Sequence, residues 1–196
     1  MRLHLIRHPR PQVTPGLCYG QTNLVVDALE ILCTTSSLLP KLPKPAIVLC
    51  SPLQRCAGLA DALVEAGGYP PAQRDANLME MHFGAWEMQP WDAIDRCEID
   101  AWANDLVHYR PGGGESVCNM ANRVLNFCMW VQQIQHTDAI VVCHAGTIRL
   151  LHAWQHGITA ERLAQEAASK PHTIGYGEIN MVKISPKVCC EDDQRL

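Results

Sequence analysis

Ala139-Ile140-Val141-Val142-Cys143 is a run of apolar residues, β-branched at its centre, with no polar position on either face. A strand of that kind is buried on both sides, as strands are in parallel sheets covered by helices. It ends on His144, and the small residues behind it, Ala145-Gly146-Thr147, open a predicted helix over 147–156. Leu3, Leu5 and Ile6 read as another short strand, which Pro9 and Pro11 stop just after Arg7-His8. Ala46 to Cys50 reads as a third strand. Behind it, Ser51 is the expected N-cap and Pro52 the first helical residue. Apolar residues at Cys56, Leu59, Ala60, Leu63 and Val64 then follow helical spacing until Gly67-Gly68. This alternation predicts an α/β fold, a three-layer α/β/α sandwich around a mostly parallel central sheet. Ligands bind at the C-terminal ends of the strands in such sheets, which puts Arg7, His8 and His144 along one edge.

Arginine offers a planar fork of donors matched to phosphate, and histidine a nucleophilic nitrogen. Arg55 falls in the first turn of the predicted helix after Cys50, off its apolar stripe. A positive charge there opposes the helix dipole, and a bound anion would offset that penalty. The composition makes such local charge necessary. The 196-residue chain carries a net charge of −4, which argues against non-specific binding to nucleic acid or anionic membranes. With 47% hydrophobic and 18% charged residues it reads as one soluble domain. No apolar run approaches a membrane span, and the apolar residues before Arg7 are too few for a signal-peptide core. The expected location is therefore the cytoplasm, with the ten cysteines as reduced thiols. Nine histidines and ten cysteines raise the idea of a metal protein, but no ligand-type spacing supports it.

Two further stretches complete a pattern: Leu49-Cys50-Ser51-Pro52-Leu53-Gln54-Arg55-Cys56-Ala57, and Leu78-Met79-Glu80-Met81-His82-Phe83-Gly84-Ala85-Trp86-Glu87. With the two histidine-ended strands, these four stretches resemble the histidine phosphatase superfamily, also called phosphoglycerate mutase-like. The Glu-Met-x-Phe-Gly-x-Trp-Glu run most resembles its alpha-ribazole phosphatase branch. The resemblance implies a cofactor-independent phosphomonoesterase acting on a small-molecule phosphate ester. His8 would be the nucleophile, with Arg7, Arg55 and His144, the last protonated, around the phosphoryl oxygens. It selects Glu80 as general acid over Glu87, which reads as structural. It implies that the loop from Thr14 to Asn23 folds over the phosphate, with Gln21 and Thr14 as candidate donors. It also implies a small cap insertion around 88–112 within a single domain covering 1–196. Phosphoglycerate mutase-type phosphoryl transfer and a catalytically inactive binding module are the competing readings.

The chain departs from the family where Pro9 stands in place of the usual glycine after Arg-His, removing a backbone donor. Elsewhere, Leu24 to Leu39 reads as a helix ended by Pro40, and Ala72 to Leu78 as holding a short strand. Pro90 to Pro111, with Trp91, Trp102 and Tyr109, reads as a pair of amphipathic helices. Gly112-Gly113-Gly114 is a hinge or helix start before the apolar stripe of Val117, Met120, Ala121, Val124, Cys128 and Val131. Glu178 to Ile184 is a last strand, and the polar chain from Lys187 onward reads as frayed.

Overall fold

A computed structural model describes residues 1–169 and 173–185. In chain order the elements are β1 (Arg2–Arg7), α1 (Ala28–Leu38), β2 (Ile47–Cys50), α2 (Gln54–Gly67) and β3 (Gln73–Arg74). They continue with α3 (Arg96–Asn104), α4 (Val117–Val131), β4 (Asp138–Cys143), α5 (Ala145–Ala153), α6 (Ala160–Ser169) and β5 (Ile179–Lys183). The strands form one five-stranded sheet in the order β3-β2-β4-β1-β5. β4 pairs in parallel with both β1 and β2, and only β5 runs antiparallel, along the edge beside β1.

The period of two along the strands divides the interior into two layers. Leu3, Leu5, Leu49, Ala139, Val141 and Cys143 face a core built with α4, α5 and α6. Ile6, Val48, Cys50, Ile140 and Val142 face the opposite core, closed by the buried residues of α1 and α2. All of β4 is buried, as its unbroken apolar run requires, and each fully buried Ile or Val there contributes about 1.5–3 kcal/mol. The three-layer α/β/α sandwich is thus the fold observed. No helix among the described residues is long and apolar enough to cross a membrane.

Local differences from the sequence reading have identifiable causes. The first helix starts at Ala28, not Leu24, because Asp27 accepts from the Leu29 N–H and caps it. Residues 24–27 are extended instead, with Val26 bridging Pro11. The second helix starts at Gln54 with Leu53 as N-cap, so Ser51 is not the cap. Between Pro90 and Pro111 only α3 is an α-helix. Trp91–Ala93 is a single 3₁₀ turn, and Asp95 rather than a second helix leads into α3. Residues 160–169 form a further helix, α6, whose Leu163, Ala164 and Ala167 are buried.

The triple glycine is not a hinge. A Cβ on Gly84 would lie 2.2 Å from the Gly112 carbonyl oxygen, and one on Gly114 would lie 2.2 Å from that of His82. The two backbone segments therefore interlock, and α4 begins only at Val117, under a capping box made by Ser116 and Asn119. The cysteines among the described residues are free thiols. Cys189, Cys190 and the polar tail from Lys187 lie outside the described residues.

Candidate active site

The sheet ladder extends one residue beyond its strands and so assembles the site. The His8 N–H donates to the Cys143 carbonyl at 3.0 Å, and the Ser51 N–H donates to that of Val142 at 3.0 Å. These bonds carry His8, Ser51 and His144 to one point at the C-terminal edge of the parallel strands. The His8 and His144 rings meet edge to face, with centroids 5.1 Å apart, and both residues are buried.

His8 is held in one tautomer. Its Nδ1 lies 2.7 Å from the Pro9 carbonyl oxygen, an acceptor, so Nδ1 carries the proton. Its Nε2 then presents a lone pair, which accepts from Arg55 Nε at 3.3 Å. Burial, Arg55 and Arg7 outweigh the Pro9 bond and push the His8 pKa down to about 3. The proline that removes a backbone donor thus supplies, through its carbonyl, the acceptor that orients the ring.

Arg55 is fully buried at the start of α2. It donates to the Thr22 carbonyl at 2.8 Å and to the Gly20 carbonyl, tying the loop after β1 to the site. Arg7 donates to the Ile174 carbonyl at 2.6 Å, and its buried Nε has no hydrogen-bond partner. A guanidinium beside a histidine pair is a donor set suited to an anion.

His144 differs from expectation in its charge. Burial, followed by Arg55 and His8, holds its pKa well below the ordinary histidine value, so without an anion it is neutral rather than protonated. Its Nε2 lies 2.9 Å from Ser51 Oγ. That bond is where the hydroxyl expected to cap α2 is used. Cys56 packs its thiol against the same ring, 3.4 Å from Nε2.

Glu80 lies at the N-terminus of α5. Its carboxylate accepts from the Gly146 N–H at 3.1 Å and the Met81 N–H at 3.0 Å. A Cβ on Gly146 would come within 2.3 Å of Glu80 Oε1, so only glycine leaves room for the acid there. Arg123 of α4 clamps the segment before it, donating to the carbonyls of Asn77, Met79 and Glu80 while paired with Glu115 at 2.8 Å. Neither Arg123 nor Ser51 was legible as a site residue, since one sits within a helical stripe and the other resembles a cap.

Gln21 reaches the site from its rim. Its side chain donates to the Glu80 carbonyl at 3.0 Å, bracing the acid's backbone. Thr14 is exposed, in a turn where its carbonyl accepts from the Leu17 N–H, and the structure does not bring it to the histidines. Glu87 is enclosed by donors. Burial opposes its charge, but the Thr22 hydroxyl and the N–H groups of Gln21, Phe83 and Thr22 hold its pKa below the ordinary value. His82 lines a polar groove with Gln21, Arg110 and Asn119, its Nε2 3.9 Å from Glu87 Oε1.

Beside Glu80 opens a cavity of about 420 Å³. Its walls are largely apolar, with Tyr19, Phe83, Trp91 and Trp102, and Arg149 adds a guanidinium. Trp91 and Trp102 lie nearly parallel, at 10°, with centroids 6.2 Å apart.

The model of the histidine phosphatase superfamily (branch 1) matches residues 3–180. The chain belongs to that superfamily. Among its relatives, the adenosylcobalamin/alpha-ribazole phosphatase of Escherichia coli K12 is 35% identical over 170 residues, 83% of each protein. The crystal structure of the alpha-ribazole phosphatase from Shigella flexneri superposes with a TM-score of 0.76 at 30% identity. It covers 93% of this chain and 90% of that one. A mycobacterial glucosyl-3-phosphoglycerate phosphatase shares the fold, with a TM-score of 0.71 at 21% identity over 93% of this chain and 89% of its own. In this histidine phosphatase the paired histidines, two arginines and one carboxylate stand at the strand ends that the doubly covered sheet leaves open.

Proposed function

We propose that this histidine phosphatase hydrolyses a small phosphate monoester through a phosphohistidine at His8. The observation that carries the reading is the unprotonated His8 Nε2, fixed in that state by the Pro9 bond to Nδ1, with its lone pair toward Arg55 and with Arg7 and His144 beside it. Nε2 attacks phosphorus while the bond to the leaving oxygen breaks, and Glu80 delivers a proton to that oxygen. Water then attacks the phosphohistidine, Glu80 takes a proton back, and inorganic phosphate leaves. Arg7, Arg55 and His144 stabilise the equatorial oxygens at both steps.

Glu80's placement makes one consequence direct. Gly146→Ala forces the carboxylate aside while leaving the backbone fold intact, because the clash is with a side-chain tip. Turnover of alkyl phosphates is expected to fall by about 10–100-fold, as misplacement of a catalytic group by about 1 Å does. Comparing melting temperature with turnover checks it.

The cavity selects the leaving group. Its aromatic walls suit an alcohol bearing a flat, apolar ring system, and the segment 88–112 serves as the cap that supplies Trp91 and Trp102. Alpha-ribazole 5′-phosphate, a bicyclic aromatic base on a ribose phosphate, has that chemistry, and the Escherichia coli and Shigella relatives are named for it. The test is phosphate release across a panel of that compound, ordinary nucleoside monophosphates, sugar phosphates and 3-phosphoglycerate. The expected result is the highest kcat/KM on alpha-ribazole 5′-phosphate. Transfer of the phosphoryl group to a phosphoglycerate would replace this reading with a mutase, and no release from any ester would leave a binding module.

A further inference from the structure

Two tyrosines that neither the sequence reading nor the mechanism uses join the opposite rims of the site. Tyr19 belongs to the loop between β1 and α1, and Tyr176 to the segment entering β5. Their hydroxyl oxygens are 2.7 Å apart, a hydrogen bond between residues 157 positions apart in the chain. Each ring also lies against an arginine of the site, and Tyr176 has the Arg10 guanidinium carbon 5.6 Å from its centre as well. The Arg7 guanidinium carbon stands 3.9 Å from the centre of the Tyr176 ring, and that of Arg55 stands 5.5 Å from the Tyr19 ring. Tyr176 touches the histidine pair as well, its centroid 5.6 Å from that of His8. Burial and the bond to Tyr176 push the Tyr19 pKa up, so this hydroxyl stays protonated.

We propose that Tyr19 and Tyr176 form a clasp that positions the two arginines on the phosphoryl group. The inference rests on the reading that Arg7 and Arg55 bind phosphate. Arginine on a flexible stem loses rotamer freedom when it is fixed on an anion. A ring stacked on the guanidinium removes part of that loss beforehand, and preorganised donors stabilise a transition state without reorganising. The geometry requires both rings to be held together, because the Arg7 side comes from the end of β1 and β5 while the Arg55 side comes from α2. The hydroxyl pair is the link between them. The bond also uses only one of two hydroxyl protons, leaving the other for a ligand oxygen.

The test is a double-mutant cycle of Tyr19→Phe and Tyr176→Phe, read as the inhibition constant of orthovanadate, which copies five-coordinate phosphorus. An inhibition constant does not depend on the fraction of enzyme that is folded, so loss of stability alone leaves it unchanged. Each single variant is expected to weaken vanadate by about three- to tenfold, the worth of one hydrogen bond, and the double variant by no more than either. Tyr176→Leu, which also removes the ring from Arg7, should weaken it further, and kcat/KM should fall in parallel. Additive losses in the cycle, or unchanged inhibition in all three variants, overturn the clasp. Arg7→Met and Arg55→Met separate the two levels of the argument. If they abolish vanadate inhibition while the tyrosine cycle is flat, only the clasp fails. If they too leave inhibition unchanged, the phosphate-site reading fails with it.

Discussion

Replacing His8 by alanine is expected to remove on the order of a thousandfold or more of the hydrolysis rate, on every ester alike. The uniformity follows from the role. A nucleophile takes part whatever alcohol departs, whereas a pocket residue affects some alcohols more than others. The variant keeps Arg7, Arg55 and His144, so phosphate should still bind. Rapid quench with a labelled substrate makes the decision. The parent enzyme should pass through an acid-labile phosphoenzyme, and the alanine variant should form none. Persistence of that species in His8→Ala would move the nucleophile elsewhere, His144 being the next to test. The depressed pKa of His8 adds a second expectation. With its pKa near 3 the ring is already neutral and Nε2 unprotonated, so the phosphorylation step should not lose its nucleophile between about pH 5 and 8, within the range where an ordinary histidine titrates. An acidic limb within that window would have to come from another group.

Glu80→Gln is expected to separate substrates instead. An aliphatic or sugar alkoxide leaves poorly without a proton, while p-nitrophenolate needs little help. The loss in the phosphorylation step should therefore reach about a hundredfold or more on alkyl phosphates and stay far smaller on p-nitrophenyl phosphate, in line with the usual worth of general acid catalysis. Glutamine retains the acceptor oxygen for the Gly146 and Met81 N–H groups, so the local backbone should hold. The step must be measured before the steady state, because the same residue activates water in the second half-reaction and slow dephosphorylation would hide the contrast. Equal losses on both substrates would exclude Glu80 as the acid and turn attention to Glu87. Glu87 is a poor alternative on structural grounds, because four donors already surround its carboxylate.

The positions of Arg7, His8, Arg55 and His144 were legible because each depends on its own short neighbourhood. An apolar strand that must be buried leaves its next residue at the sheet edge, and prolines at 9 and 11 permit no other ending. The two-layer core likewise follows from apolar runs of fixed period. Glu80 was legible only through resemblance, since nothing in its own flanks distinguishes it from Glu87.

What tertiary structure alone decided concerns how polar groups found partners. Ser51 has every local mark of a helix cap, yet its hydroxyl turns to His144, a ring brought in from 93 residues away. Arg123 and Glu115 look like ordinary helix-surface charge until α4 packs on the segment before Glu80. The neutrality of His144 is the clearest case. Its charge depends on burial, on His8 and on three arginines (Arg55, Arg123 and Arg7) from separate strands and helices, a sum over distance that no local pattern encodes. The tyrosine pair has the same origin, since a hydrogen bond between residues 19 and 176 exists only once β1 and β5 lie side by side. Strand and helix content is determined by near neighbours along the chain. Protonation, tautomer and hydrogen-bond partner are determined by near neighbours in space, and only the closed fold supplies those.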